Sequence, residues 1–449
     1  MNTFRRYLPA LSLAVLLVAP SVPVARAALP AAPSSLPWIE DDYPRAVAAA
    51  RERHVPIFVE NWAPWCHTCR SMRAYVFTHP SLARHAKDFV WLGIDNENPK
   101  NAEFRKRFPT PGLPTIFVID GASQTARVRW LGGMTVPQLH AFLDDVHAGG
   151  NMPPALLATV ASADSLYGAS DYAHAATAYA AVLTNAPADW HGATRLVESE
   201  MFALSQTGDN AGAVALAREQ LPRLGHTVSG LSVASSALDA SVALPESLAT
   251  RRAAIAEFES RVHELVDDTT FVAAADDRSG AYISLLEARH DARDDAGAHA
   301  VALEWSAFLD GQAARARTPD ERAVFDPHRL SAYIELGQAD RAVPMLLASQ
   351  RDLPGDYNPS QRLATAYKEL KRWDDALAAS DKAMALAYGP RKLLVFTTRA
   401  DIFAGKGDGA MARKTLQDAI AYANALPEDQ RSPARVASLQ KKLDGLPKM

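Results

Sequence analysis

A third cysteine is missing. Cys66 and Cys69 are the only two in 449 residues, so any disulfide formed within the chain closes between them, across two residues. Closing so short a loop removes little entropy from the unfolded chain, because loop-closure entropy grows with loop length. The case for a bracing bond is weak and the case for a chemical one correspondingly stronger. Also missing, beyond the N-terminus, is any apolar run near the ~20 residues that a membrane-spanning helix needs. A basic stripe is absent as well. With 47 Lys and Arg against 51 Asp and Glu, nothing favours nucleic acid as a partner.

The start of the chain reads as a processing signal. Arg5 and Arg6 are a basic beginning, Leu8 to Val18 an apolar stretch too short to span a bilayer, and Ala25-Arg26-Ala27 a small-x-small cleavage site. Cleavage after Ala27 is expected, which moves the formal charge from -4 to -7 by removing three arginines. No cysteine stands near that site to carry a lipid. The expectation is a soluble exported protein, periplasmic, with no membrane span in the mature chain. The 48% hydrophobic content and the length favour more than one domain, divided as a signal peptide at 1–27, a first domain at 28–149 and a second at 150–449.

Between Trp38 and Gly149, strand-like and helix-period segments alternate. Tyr43 to Arg53 is amphipathic, Val55 to Glu60 and Phe89 to Asp95 are short apolar strands, Cys69 to Val76 and Asn98 to Phe108 suit helices, Thr115 to Leu131 reads as a hairpin, and Pro137 to Val146 closes as a helix. This order predicts an α/β unit with a central mixed sheet covered by helices.

Redox chemistry follows from the cysteine spacing. A thiol attacks a disulfide only as thiolate, and a helix N-terminus lowers a cysteine's pKa by offering unpaired N–H groups and the positive end of the dipole. Placed at such a terminus, Cys66 is the predicted exposed nucleophile, and Cys69, one turn on, the resolving thiol of a redox disulfide. No metal is expected: a lone CxxC lacks two of the ligands that tetrahedral zinc needs, and the histidines form no complementary pair. Arg70 after Cys69 excludes a haem-attachment motif.

Trp62-Ala63-Pro64-Trp65-Cys66-His67-Thr68-Cys69-Arg70, Leu113-Pro114-Thr115, and Gly132 with Gln138-Leu139 and Phe142-Leu143 together resemble the thioredoxin superfamily. Phe77 and Ile94-Asp95 bring the likeness nearest the branch that includes the C-terminal domain of the electron carrier DsbD. The resemblance implies a cis peptide bond before Pro114, with Trp65, Leu113, Pro114 and Thr115 lining the substrate site. It implies that His67 and Thr68 tune the redox potential and that Glu60, at the place of the family's buried acid, is a candidate proton relay. The family's accompanying lysine is absent, with Trp91 read at its position. No cofactor is implied.

After the Gly149-Gly150-Asn151-Met152-Pro153-Pro154 hinge, alanine-rich helical periodicity runs to the end. The unit from Gly168 to Pro187 carries Ala175 and Tyr179 at packing positions. Ala342, Ala376 and Ala412 stand 34 and 36 residues apart. That period resembles tetratricopeptide repeats in degenerate form, implying an all-α helical-repeat domain that holds a protein partner. Between about 225 and 290 no repeat is evident, and Leu248, Ile255, Phe258, Val262 and Leu265 read as one long amphipathic helix.

The expected function is an exported thiol–disulfide oxidoreductase acting on protein thiols and disulfides, on the reductase or electron-carrier side, with a membrane-bound electron donor as a further partner. The alternatives are a repeat-type protein-binding scaffold with a redox-sensitive appendage, and a CxxC metal chaperone.

Overall fold

Why the N-terminal region builds a sheet is visible in its strands. β1 (Trp38–Glu40), β2 (Ile57–Trp62), β3 (Val90–Asp95), β4 (Thr115–Ile119) and β5 (Ala126–Leu131) lie in the order β1-β3-β2-β4-β5. The computed structural model describes residues 36–148, 154–186, 190 and 192–447. The expected signal peptide and, apart from Pro154, the expected hinge lie outside them. β2 pairs parallel with β3 and antiparallel with β4, and β4 forms the expected hairpin with β5. β1, parallel to β3, has three residues and so is too short to show a period.

The first half of β2 is apolar on both faces because both are covered. Phe58 turns toward Met72, Val76, Leu139 and Leu143, whereas Ile57 and Val59 turn toward Ala46, Val47, Ala50 and Phe104. Helices α1 (Tyr43–Arg53) and α3 (Ala102–Arg107) cover the second face; α2 (His67–Ser71) and α4 (Val136–Ala148) cover the first. A π-helical turn, Met72–Val76, continues α2 without a break. α1 begins where the Asp42 side chain accepts from Arg45 N at 3.1 Å, and it stops at His54, whose φ is 53°.

From residue 154 onward only helices follow among the described residues: α5 (Pro154–Gly168), α6 (Tyr172–Asn185), α7 (Ala193–Thr207), α8 (Asn210–Leu224), α9 (Val228–Val242), α10 (Arg251–Asp267), α11 (Ala275–Asp291), α12 (Asp295–Arg315), α13 (Pro319–Ala323), α14 (Asp326–Glu335), α15 (Ala342–Asp352), α16 (Tyr357–Glu369), α17 (Trp373–Leu386), α18 (Lys392–Gly405), α19 (Gly409–Ala425) and α20 (Pro433–Asp444). Neighbours in sequence pack on one another as a helical-repeat array. Its close helix contacts use the expected small residues, with Ala175, Ala342, Ala376 and Ala412 all fully buried. The joints repeat too. Gly208, Arg293 and Gly407 each have positive φ, and each is followed by an aspartate, Asp209, Asp294 or Asp408, that caps the next helix.

The stretch from 225 to 290 departs from the sequence reading. It holds three helices, α9, α10 and α11, and Leu248 lies outside them and exposed. Ser229, Gly230, Ala234 and Ala237 of α9 are buried small residues, which blur an amphipathic period. No helix among the described residues is long and apolar enough to cross a membrane.

The array returns onto the sheet domain. At one end Arg195 of α7 donates to the Arg129 carbonyl and, at 3.0 Å, to Asp164 of α5, which also accepts from Tyr179 Oη at 2.8 Å. Farther along, Tyr75 donates to the Glu321 carbonyl at 3.0 Å and Arg105 to Asp429 at 2.6 Å.

Candidate functional site

Cys66 is the N-cap of α2: its sulfur accepts the Cys69 backbone N–H at 3.2 Å. The two cysteines are joined as a disulfide with an S–S distance of 2.02 Å. Leu113, Trp62 and Trp65 pack around Cys66, Cys69 and Ala63, and the Leu113–Pro114 bond is cis, as the resemblance implies. The Pro114 carbonyl accepts from Gly132 N at 2.9 Å, and the Thr115 hydroxyl donates to the Gly112 carbonyl at 2.7 Å. Thr115 is buried inside the sheet, between Asn61 and Leu131.

Exposure of Cys66 is the first correction. Only 5% of it is accessible, and Cys69 is fully buried. Its apolar neighbours are Trp62, Ala63, Trp65 and Leu113, and the array packs over the segment that carries them. At the start of α16, Asn358 donates to the Pro64 carbonyl at 3.0 Å and Asp356 accepts from Arg70. The loop after α17 adds a second cover: the Arg391 guanidinium lies 4.7 Å from the Trp65 ring, while Trp65 Nε1 donates to Glu97 at 2.9 Å. Glu97 also accepts from Arg391 N at 2.8 Å. Gly389 makes the approach possible, because a Cβ there would stand 2.8 Å from the Glu97 carbonyl oxygen.

Glu60, on β2, has no accessible surface. Burial pushes its pKa up to about 7, against the pull of Arg73, whose Nε donates to Glu60 Oε2 at 2.7 Å. The other oxygen, Oε1, has no hydrogen-bond partner among the described residues. The residue beside Glu60 on β3 is Gly93, not Trp91, which pairs instead with Phe58 in the aromatic core. A Cβ at Gly93 would come 2.4 Å from the Arg73 guanidinium. The missing lysine is thus replaced in space: a glycine opens room on β3, and an arginine from the turn after α2 fills it.

His67 and Thr68, between the cysteines, are held by the array. Asp276 at the start of α11 accepts from His67 Nδ1 at 2.6 Å and from Thr68 Oγ1 at 2.7 Å. A carboxylate only accepts, so the proton rests on Nδ1. Burial works against the imidazolium, yet Asp276 outweighs it and holds the His67 pKa above the ordinary value. His328 of α14 stands edge-on, 4.2 Å between ring centroids. Burial, with the charge of His67, pushes the His328 pKa down to about 3, so it is neutral. Its Nδ1 meets Ser279 Oγ at 2.7 Å, which also accepts from Trp305 Nε1.

Donor atoms of His67, Asp276 and His328 lie within 4.8 Å of one another, the one grouping among the described residues that has the make-up of a metal site. Two donors on one tetrahedral zinc, at ~2.0 Å from the ion, stand ~3.3 Å apart. The 2.6 Å contact of His67 with Asp276 is a hydrogen bond, and the cluster as it stands is a hydrogen-bonded one.

Residues 38–121 match the family model described as thioredoxin-like. They form a thioredoxin-like domain. Similar proteins include the thiol:disulfide interchange proteins DsbD of Pseudoalteromonas atlantica, 30% identical over 82 residues, and of Klebsiella pneumoniae, 30% identical over 105. These overlaps cover 18% and 22% of this chain and 14% and 17% of the relatives, so the chain spans under a fifth of their length. Among solved structures, a tetratricopeptide repeat protein from Parabacteroides merdae aligns with 65% of this chain at 11% identity and a TM-score of 0.39. The TPR2AB domain of yeast Sti1 aligns at 13% identity and a TM-score of 0.23.

Around the thioredoxin-like domain's disulfide, the structure thus brings together Cys66, Cys69, His67, Thr68, Trp65, Leu113 and Pro114. Arg73, Asp276, His328, Asn358 and Arg391 are additions that sequence reasoning missed. Four of the five lie more than 200 residues from the cysteines, where no local pattern marks them.

Proposed function

We propose that this chain is an exported thiol–disulfide oxidoreductase, a thioredoxin-like domain at 28–149 with a helical-repeat domain at 150–449 that holds a protein partner. The observation that carries the reading is the Cys66–Cys69 pair capping α2 beside the cis Leu113–Pro114 bond. With the pair reduced, the Cys66 thiolate attacks a substrate disulfide, forming a mixed disulfide and releasing one substrate thiolate. Cys69, deprotonated toward Glu60, then attacks the Cys66 sulfur. The Cys66–Cys69 disulfide forms, the second substrate thiolate leaves, and two electrons have passed to the substrate. An outside dithiol, in the expected case a membrane-bound donor, must restore the pair. Pairing with an extended substrate segment falls to the main chain of Leu113, because the Pro114 carbonyl is taken by Gly132.

Export is supported by the basic, apolar and small-x-small order of residues 5–27. The reductase direction is supported by the nearness to the DsbD relatives. The test is reduction of a protein disulfide by the full chain: Cys66→Ser is expected to abolish it, and Cys69→Ser to trap the mixed disulfide. Undiminished turnover by Cys66→Ser overturns the mechanism.

A further inference from the structure

One carboxylate ends on both residues that separate the cysteines. Asp276, the second residue of α11, accepts from His67 Nδ1 at 2.6 Å through Oδ1 and from Thr68 Oγ1 at 2.7 Å through Oδ2. It is 5% exposed and lies 209 residues from His67. We propose that Asp276 is a positioning residue for the redox pair: by fixing His67 as an imidazolium next to Cys66, it raises the reduction potential of Cys66–Cys69 while the helical array is docked. This rests on the redox reading above.

The surroundings of His67 leave the task to Asp276. His328 on α14 faces it and is neutral; Arg362 on α16 opposes a positive charge; and Asp277 on α11, whose own pKa burial lifts to about 7, adds part of a negative one. Without Asp276, burial and Arg362 favour the neutral ring. With it, the ring keeps its proton. Asp276 makes no hydrogen bond to either cysteine among the described residues. Its pair with His67 therefore acts as a dipole whose positive end belongs to the residue beside Cys66. The α2 N-terminus adds the Cys69 N–H, already aimed at the Cys66 sulfur.

A cation near the sulfur favours the thiolate, and favouring the reduced form makes the disulfide a stronger oxidant. In the couple, two electrons break the Cys66–Cys69 bond; Cys69 takes one proton and Cys66 stays a thiolate. The coupling is reciprocal: if docking raises the potential, reduction must tighten docking by the same free energy. A partner that draws α11 away from α2 therefore lowers the potential at a distance.

The test is equilibration of the full-length protein with glutathione redox buffers, reading the reduced fraction of its own two cysteines. Asp276→Asn is expected to shift the equilibrium about tenfold toward the disulfide, about 30 mV. His67→Gln alters a partly exposed ring and keeps the fold available if the first variant misfolds; it should give the same shift, and the double variant no more. Thr68→Val removes a hydrogen bond and no charge, and should leave the potential in place. An unchanged potential in both Asp276→Asn and His67→Gln overturns the proposal, as does an equal further shift by Asp276→Asn in the His67→Gln background, or a tenfold shift in Thr68→Val. No substrate enters this equilibrium, so its outcome is independent of the turnover test on Cys66→Ser.

Discussion

Arg73 Nε donates to Glu60 Oε2 at 2.7 Å, and its guanidinium lies 3.7 Å from the centre of the Trp62 ring. That leaves one oxygen of a buried acid bonded and the other without a partner among the described residues, and burial lifts the pKa from 4.5 to about 7 against the pull of Arg73. Such an acid binds more protons folded than unfolded. Its contribution to stability is therefore fullest below 4.5 and is lost as pH rises toward about 7.

Glu60→Gln does not titrate. Compared with the wild type, it should gain stability between acidic buffer and about pH 8, seen as a converging or crossing pair of urea midpoints. Parallel midpoints across that window would mean that Glu60 does not titrate there. The same variant should slow resolution of the mixed disulfide by roughly 100-fold. Arg73→Met leaves burial unopposed and should move the pH dependence of that step upward.

The covered sulfurs predict slow access. After reduction, Cys66 in the full chain should react far more slowly with a bulky maleimide than with a small alkylating reagent. Asn358→Ala combined with Gln430→Ala removes the hydrogen bonds to the Pro64, Asn96 and Glu97 carbonyls and should narrow that difference severalfold. An unaltered ratio would show that these contacts do not hold the cover closed.

Arg195 and Asp164 are both buried, and they meet at 3.0 Å. Arg195→Leu strands the carboxylate with Tyr179 as its one side-chain donor among the described residues, which should cost roughly 3–5 kcal/mol in chemical denaturation. Replacing both, Arg195→Leu with Asp164→Leu, should recover most of the loss. Equal losses would locate the cost in packing.

Gly389 carries a φ of 60° against the Glu97 carbonyl. Gly389→Ala should cost at least ~1–2 kcal/mol from the left-handed backbone alone and should disturb Trp65, whose indole shares Glu97, as a change in its fluorescence. Wild-type stability and an unmoved spectrum would contradict this.

The geometry of the site was legible wherever it is local. Cys66, Cys69 and Pro114 are read from short motifs, because a helix terminus and a turn are built from neighbouring residues. Strand limits fell within two residues for β2, β3 and β5, since a buried strand is a short apolar run between turn signals. Where reading failed, the cause was distance. The room that Gly93 leaves beside Glu60 went unread because pairing register is not written in one strand. The exposure of Cys66 was misjudged because the groups that pack beside it arrive from α16 and the loop after α17. α9 escaped notice because small buried residues carry little hydrophobic contrast.

Chains emerge from synthesis N-terminus first. Cys66, Cys69 and every strand of their sheet, which ends at Leu131, therefore precede Asp276, Asn358, Arg391 and Gln430. The first oxidant or reductant to meet the pair finds it uncovered. The pair is thus made before its cover, and is shut in only once the C-terminal two thirds of its own chain has followed.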